Sequence, residues 1–329
     1  MTSLVSPNVG GSESGRPLVS IVLPTQNRPD TLREALQSIV AQTYREIETI
    51  VVNDGGLDVS YVLSDFNSKC NIRYLSHAVR KGPAAARNTA LKVARGQYIA
   101  YLDDDDLYYP YHVETLVECL ESSGCQVAYT DSFRAEQEKH ESLLGDCRIM
   151  RSRASVKTIL LYSMNVFLPA LFFRLLYRLA SVLVRDWYYE FLSLNDSAID
   201  MFSRSQGKYF VVTREVLYSF DFNYEELLND NYLPILCVMH RKSCLDDVGV
   251  FDESLDGHED WDFWIRMGKI FNFAHVRKLT CEFAWRIDGT TTTSGNRQTM
   301  KRTRKLVAAR YATSNEAVGK PSIAPGSSS

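Results

Sequence analysis

The chain opens on two alternating periodicities. Leu18-Val-Ser-Ile-Val-Leu23 is a β-branched run closed by Pro24, the pattern of a buried strand. After the turn Thr25-Gln-Asn-Arg-Pro29, Asp30 or Thr31 stands where it can cap a helix, and Leu32, Leu36, Ile39 and Val40 recur at helical spacing. A second apolar run, Ile47 to Val52, stops at Asn53-Asp-Gly-Gly56, and a third spans Ile72 to Leu75. Pro83 and the alanines after it predict a helix to about Arg95. The strand Tyr98-Ile-Ala-Tyr-Leu102 then runs into four consecutive carboxylates, Asp103 to Asp106, before a helix from about Tyr111 to Glu121 and a strand from Gln126 to Tyr129. Strands alternating with helices predict an α/β fold with a mostly parallel central sheet flanked by helices. Ligands of such sheets bind beyond the carboxyl ends of the strands, and 24–28, 53–56 and 103–106 all lie at such ends.

From about 134 to 229 the pattern changes. Thr158 to Phe173 is uncharged, and Arg174, Arg178 and Arg185 share one helical face beside Leu175, Leu179 and Val182. Pro169 interrupts the run, which favours two short surface helices over a membrane span; the surface they cover is either the inner membrane leaflet or the protein itself. Tyr232 to Met239 reads as a further strand. A helix from Glu259 directs Phe263, Trp264 and Met267 to the core and leaves Glu259 and an ionised Asp260 in its first turn, facing out. The strand Leu279 to Ala284 leads into a hydroxyl- and glycine-rich loop suited to wrapping a phosphate together with Arg286. The expected organisation is a disordered leader (1–17), a first α/β half (18–133), a partly helical amphipathic insertion (134–229), a second half (230–300), and a basic tail and linker (301–329) after which the natural protein is expected to continue.

Composition narrows the chemistry. A net charge of −3 over 329 residues gives no global reason to expect nucleic acid as a partner. Seven cysteines without a C-x-x-C pair indicate neither a zinc site nor a disulfide framework, so reduced cytoplasmic thiols fit best. No G-x-G-x-x-G follows the first strand and no G-x-x-x-x-G-K-[ST] occurs, which removes the usual support for dinucleotide and P-loop readings. Four adjacent carboxylates need positive charge against them, and hard oxygen ligands at a strand end suit Mg²⁺ or Mn²⁺ arriving with a substrate diphosphate. A solvated acidic loop is the alternative for these residues taken alone.

Six motifs in order, Val19 to Arg28, Val51 to Gly56, Gly82-Pro-Ala-Ala-Ala-Arg-Asn88, Asp103-x-Asp105-Asp106, Gly249-x-Phe-Asp-Glu253 and Glu259-Asp-Trp-x-x-Trp264, resemble the inverting glycosyltransferases of family 2, which have the GT-A fold. The resemblance implies that Pro24, Thr25, Asn27, Arg28 and Asp54 surround the nucleoside, with Asp54 accepting from the base and Arg87 nearby. It further implies that Asp103 binds ribose with Asp104 in support, that Asp105 binds the metal, that Arg286 steadies the diphosphate, and that Asp260 is the catalytic base. Asn53-Asp54 replaces the usual acidic pair, and Asp288 stands where many relatives have a metal-binding histidine, so Asp288 is the expected further ligand. The implied activity is transfer of a sugar from a UDP- or dTDP-linked donor, bound by 18–133 with Mn²⁺ or Mg²⁺, to a glycan or lipid-linked glycan at 230–300, in bacterial surface polysaccharide synthesis. The protein would be cytoplasmic, with peripheral membrane contact through 158–185. A non-catalytic nucleotide-sugar-binding module and a nucleotidyltransferase are the competing classes, and the missing Gly-rich basic loop after the first strand counts against the latter.

Overall fold

A computed structural model describes residues 15–139, 209–216, 218–286 and 297–312. Expectations for the insertion helices at 158–185 and for Asp288 therefore lie outside the described residues.

The first half is built from β1 (Val19–Thr25), α1 (Pro29–Val40), β2 (Ile47–Asn53), α2 (Ser60–Ser64), β3 (Asn71–Ser76), α3 (Pro83–Leu91) and β4 (Tyr98–Tyr101). β1 pairs in parallel with β2 and β4, and β2 with β3. Central strands of such a sheet are covered on both faces, which is why β1 reads as a nearly continuous apolar run. Leu32, Ala35, Leu36 and Ile39 form the buried stripe of α1. Pro83 opens α3 after Gly82, whose φ of 98° is a conformation that a side chain disfavours.

The second half comprises β5 (Leu107–Tyr108), α4 (His112–Ser123), β6 (Val127–Lys139), β7 (Tyr209–Val216), α5 (Tyr224–Asn229), a short 3-10 turn (Ile235–Cys237), β8 (Val238–Arg241), α6 (Cys244–Val248), α7 (Glu259–Gly268), β9 (Phe273–Arg286) and α8 (Arg297–Ala312). Among the described residues these complete one sheet in the order β3-β2-β1-β4-β8-β6-β9-β5, with β7 on β6. The sheet is parallel from β3 to β4 and mixed beyond, because β8 runs antiparallel to both β4 and β6 while β6 and β9 are parallel. Two strands are far longer than their apolar cores suggest: β6 continues from Tyr129 to Lys139 and β9 begins at Phe273, and their pairing sets Gln137 opposite Arg286. The segment from Lys301, expected as a tail, is instead helical as far as Ala312.

α7 holds the halves together. Trp261, Phe263, Trp264, Ile265 and Met267 are all fully buried. The indole N–H of Trp261 donates to the Leu227 carbonyl and that of Trp264 to the Leu233 carbonyl, so neither polar handle is lost on burial. Phe251 packs 4.3 Å from Phe263 and meets Tyr101 of β4 edge-on, joining α7 to the strand that leads into the acidic block. Cys237 and Cys281 lie buried with sulfurs 3.8 Å apart and unbonded. Among the described residues no helix is long and apolar enough to cross a membrane.

Candidate active site

The acidic block leaves β4 and alternates between inside and outside. Asp104 and Asp106 are buried, whereas Asp103 and Asp105 stay partly exposed. Asp104 accepts from the Thr25 hydroxyl (2.8 Å), the Gln26 N–H (3.3 Å) and Arg28 (2.9 Å), tying the end of β4 to the end of β1. Asp106 accepts from the Ala284 N–H at 3.0 Å and so anchors the block to β9. Burial first, and the neighbouring Asp105 charge second, push the Asp104 carboxyl up to about 7 and raise that of Asp106 well above its usual range.

The outward pair meets arginines. One oxygen of Asp105 receives Arg286 at 2.9 Å and Arg28 at 3.0 Å, and Arg286 is held by Gln137 at 3.0 Å across the β6–β9 pairing. Both oxygens of Asp103 receive Arg87, at 2.7 and 3.0 Å. The buried Arg87 also donates to Glu259 at 2.5 Å, linking the block to the first turn of α7. Beside Glu259, Asp260 accepts from Asn231 at 3.0 Å and from the Trp261 N–H at 2.8 Å. Burial raises the pKa of both carboxyls, with Arg87 opposing the shift in each. Asp260 is thus a restrained, partly buried group and not the outward-facing acid expected from helix position alone.

Asp54 is tied to the loop that follows β3. Its carboxylate accepts from the backbone N–H groups of Lys81 and Gly82, both at 2.8 Å, and faces His77 at 2.8 Å. It therefore shapes the loop ahead of α3. Asn27, at φ 56°, accepts from the Leu57 N–H at 2.8 Å and closes the loop after β2 onto the loop after β1. Gly55 and Gly56 permit this approach, since a Cβ on Gly55 would lie 2.2 Å from the Arg80 nitrogen and one on Gly56 2.9 Å from that of Asn27. β1 continues one residue past Pro24, which lies opposite Val52, and ends at Thr25 opposite Asn53.

Asp103 to Asp106, Glu259 and Asp260 are met by three guanidinium groups, those of Arg28, Arg87 and Arg286. The excess of carboxylate suits a divalent cation, and Asp105 with Asp103 offers hard oxygen donors that reach solvent. Among the described residues no three His, Cys, Asp or Glu side chains are grouped to enclose an ion. A cation here would take its remaining ligands from a substrate diphosphate and water, the usual manner of Mg²⁺.

Residues 20–178 match the family model described as "Glycosyl transferase family 2". This segment belongs to glycosyl transferase family 2. It contains the arginines at 28 and 87 and the whole acidic block, and it ends before α7. An uncharacterized glycosyltransferase of Rickettsia felis is 37% identical over 122 residues, which are 37% of this chain and 20% of that protein. The UDP-Glc:alpha-D-GlcNAc-diphosphoundecaprenol beta-1,3-glucosyltransferase WfaP of Escherichia coli is 32% identical over 116 residues, 35% of this chain and 46% of that protein. The chain thus spans from about a fifth to about half the length of these curated relatives. The mannosyltransferase PcManGT from Pyrobaculum calidifontis, solved with GDP-Man and Mn²⁺, superposes with a TM-score of 0.52 at 14% identity, covering 97% of this chain and 70% of that one. The fold around the family 2 segment is the GT-A fold of glycosyltransferases.

Two features carried no local signal in the sequence: the bridge made by Arg87, and the hold of Asn231 on Asp260. An arginine after three alanines and an asparagine in a polar connector acquire these partners only through tertiary packing.

Proposed function

We propose that the protein is an inverting glycosyltransferase that moves a sugar from a nucleoside-diphosphate sugar to a hydroxyl of a glycan or lipid-linked glycan. The observation that carries this reading is the Arg87 bridge, which joins the acidic block at the strand ends to the acid pair of α7 in one site. A donor diphosphate would lie over Asp103 and Asp105, with Arg28 and Arg286 facing it. Asp105, with Asp103 in support and Asp288 as a candidate further ligand, would hold Mn²⁺ or Mg²⁺. When bound, that ion supplies Lewis-acid neutralisation of the leaving diphosphate.

Asp260 is the proposed base. Its oxygens are oriented by Asn231 and the Trp261 N–H, and its raised pKa makes it a stronger proton acceptor than a free aspartate. It would take the proton of the incoming hydroxyl as that oxygen attacks the anomeric carbon opposite the diphosphate. One displacement without a covalent intermediate inverts the anomeric centre. Asp54 and Asn27 act indirectly, by fixing the loops around the nucleoside. The UDP-glucose and diphospholipid specificity in the name of WfaP, and the Mn²⁺ in the PcManGT complex, support UDP-sugars, lipid-linked acceptors and Mn²⁺ as first choices.

The test is a screen of UDP-, dTDP- and GDP-sugars with Mn²⁺, with and without a synthetic GlcNAc-diphospholipid acceptor. Acceptor-dependent release of nucleoside diphosphate is expected with at least one donor. Donor binding without transfer or hydrolysis under any combination would instead assign a non-catalytic binding module.

A further inference from the structure

The family 2 segment ends well before α8, yet α8 contacts residues on either side of the proposed base, His258 and Asp262. Gly257 lies directly beneath it: a Cβ there would come 2.9 Å from the Met300 sulfur and 3.4 Å from the Thr303 hydroxyl. The next residue, His258, adopts φ 58° and ψ 21°, a left-handed conformation that costs free energy for a residue with a side chain. It occupies the cap position of α7 without capping it by its side chain. Its ring reaches instead to Thr303, with Nδ1 2.8 Å from the hydroxyl. Thr303 is 1% exposed and its hydroxyl donates to the Thr299 carbonyl at 3.0 Å, so it accepts from a His258 that carries its proton on Nδ1.

Two more struts flank this contact. Asp262, fully buried and two residues beyond Asp260, accepts from Arg310 at 2.6 Å and from the Tyr311 hydroxyl at 2.8 Å. Arg304 donates to the Asn229 carbonyl at 3.3 Å and pairs with Asp230 at 3.2 Å, next to the Asn231 that holds Asp260. The Arg304–Asp230 and Arg302–Asp256 pairs are more than half exposed at both partners and contribute little. The buried contacts at Thr303 and Asp262 therefore carry the brace.

We propose that α8 positions the acid pair for proton transfer, with Thr303 and His258 as positioning residues: the Thr303–His258 bond holds the left-handed turn that aims Glu259 at Arg87 and Asp260 at the acceptor. The inference rests on the glycosyltransferase reading. Basic character serves α8 in docking onto Asp230, Asp252, Asp256 and Asp262.

The test compares Thr303→Val and Thr303→Ser with the parent and with Asp260→Asn, using the best donor and acceptor from the screen. Displacement of a reacting group by an ångström costs up to about a hundredfold. We expect Thr303→Val to lower kcat by about tenfold or more, with the donor Kd and the acceptor KM within about twofold of the parent, and Thr303→Ser to restore most of the rate. His258→Ala, which deletes the ring and its bond to Thr303 but not the cost of the left-handed backbone, should show the same selective loss of kcat, whereas His258→Gly, which adopts that backbone without the bond, should lose less. An unchanged kcat in Thr303→Val or in His258→Ala, alongside an inactive Asp260→Asn, overturns the brace while leaving the proposed function intact. Near-parental transfer by Asp260→Asn overturns the function first, and the brace with it.

Discussion

Replacing Arg87 by methionine probes the bridge on which the site depends. The substitution keeps most of the side-chain bulk and removes the charge, leaving Glu259 buried and Asp103 without its bidentate partner. Removing one member of a buried ion pair costs about 3–5 kcal/mol, because the other charge stays desolvated. Asp103 is about a third exposed and recovers water, so the loss falls mainly on Glu259 and sits near the lower end, about 3 kcal/mol. At about 2–4 °C per kcal/mol for a large domain, the melting temperature should fall by about 6–12 °C. Urea unfolding followed by tryptophan fluorescence measures the free-energy loss directly, since Trp261 and Trp264 lie in the same helix as Glu259.

The pH dependence has a definite sign. Burial already raises the Glu259 pKa above its ordinary value of 4.5, and loss of Arg87 raises it further. Between that ordinary value and the raised one, the native state holds a proton that the unfolded state has released, so native stability of the variant falls as pH rises. The deficit should be largest at pH 7 and shrink as pH drops toward 4.5, and Glu259→Gln added to Arg87→Met should recover much of it. A deficit under about 1 kcal/mol at pH 7, or one that the second substitution leaves unchanged, would refute the account of Arg87 as a buried bridge.

Other outcomes follow from the same contacts. Asp105→Ala should remove the Mn²⁺ dependence of donor binding, seen by calorimetry with and without a chelator; a metal effect equal to the parent's would exclude Asp105 as a ligand. Burial lowers the pKa of His112 to about 3 and that of His240 to about 4, from an ordinary value of 6.5. Below pH 6.5 the unfolded state binds protons that the native state refuses, so stability should fall with acid across that window, and His112→Gln should flatten the slope in an acid-denaturation series. Asn231→Ala should lower kcat by about tenfold or more with the donor Kd preserved, by freeing one oxygen of Asp260, and an unchanged kcat would count against the orientation assigned to that oxygen.

How far the sequence alone reaches can be judged from particular residues. β1, β2 and β4 were legible because each is an apolar run cut off by polar residues at its carboxyl end, and those ends are what gather at the site. α7 was legible from its aromatic spacing and the acids of its first turn. The long extensions of β6 and β9 were not, since Arg134, Glu136 and Gln137 carry no strand alternation and are held by pairing with β9. α8 read as a basic tail because its buried stripe is reduced to Thr303 and Val307, and most of its contacts are polar ones to acids distant in sequence. The alternation within Asp103 to Asp106 was equally hidden: four identical side chains divide into buried anchors and exposed ligand candidates only once Thr25, Ala284 and Arg87 take their places.

Asp260→Asn assayed side by side for binding and transfer bears most directly on the central claim. A general base contributes about 10²- to 10⁴-fold, and the amide replaces the carboxylate with nearly the same shape. The account predicts a donor Kd within about twofold of the parent by calorimetry and a transfer rate at least about a hundredfold lower. Transfer within about tenfold of the parent, with donor binding intact, would contradict Asp260 as the base and leave the acid pair of α7 without the role assigned to it.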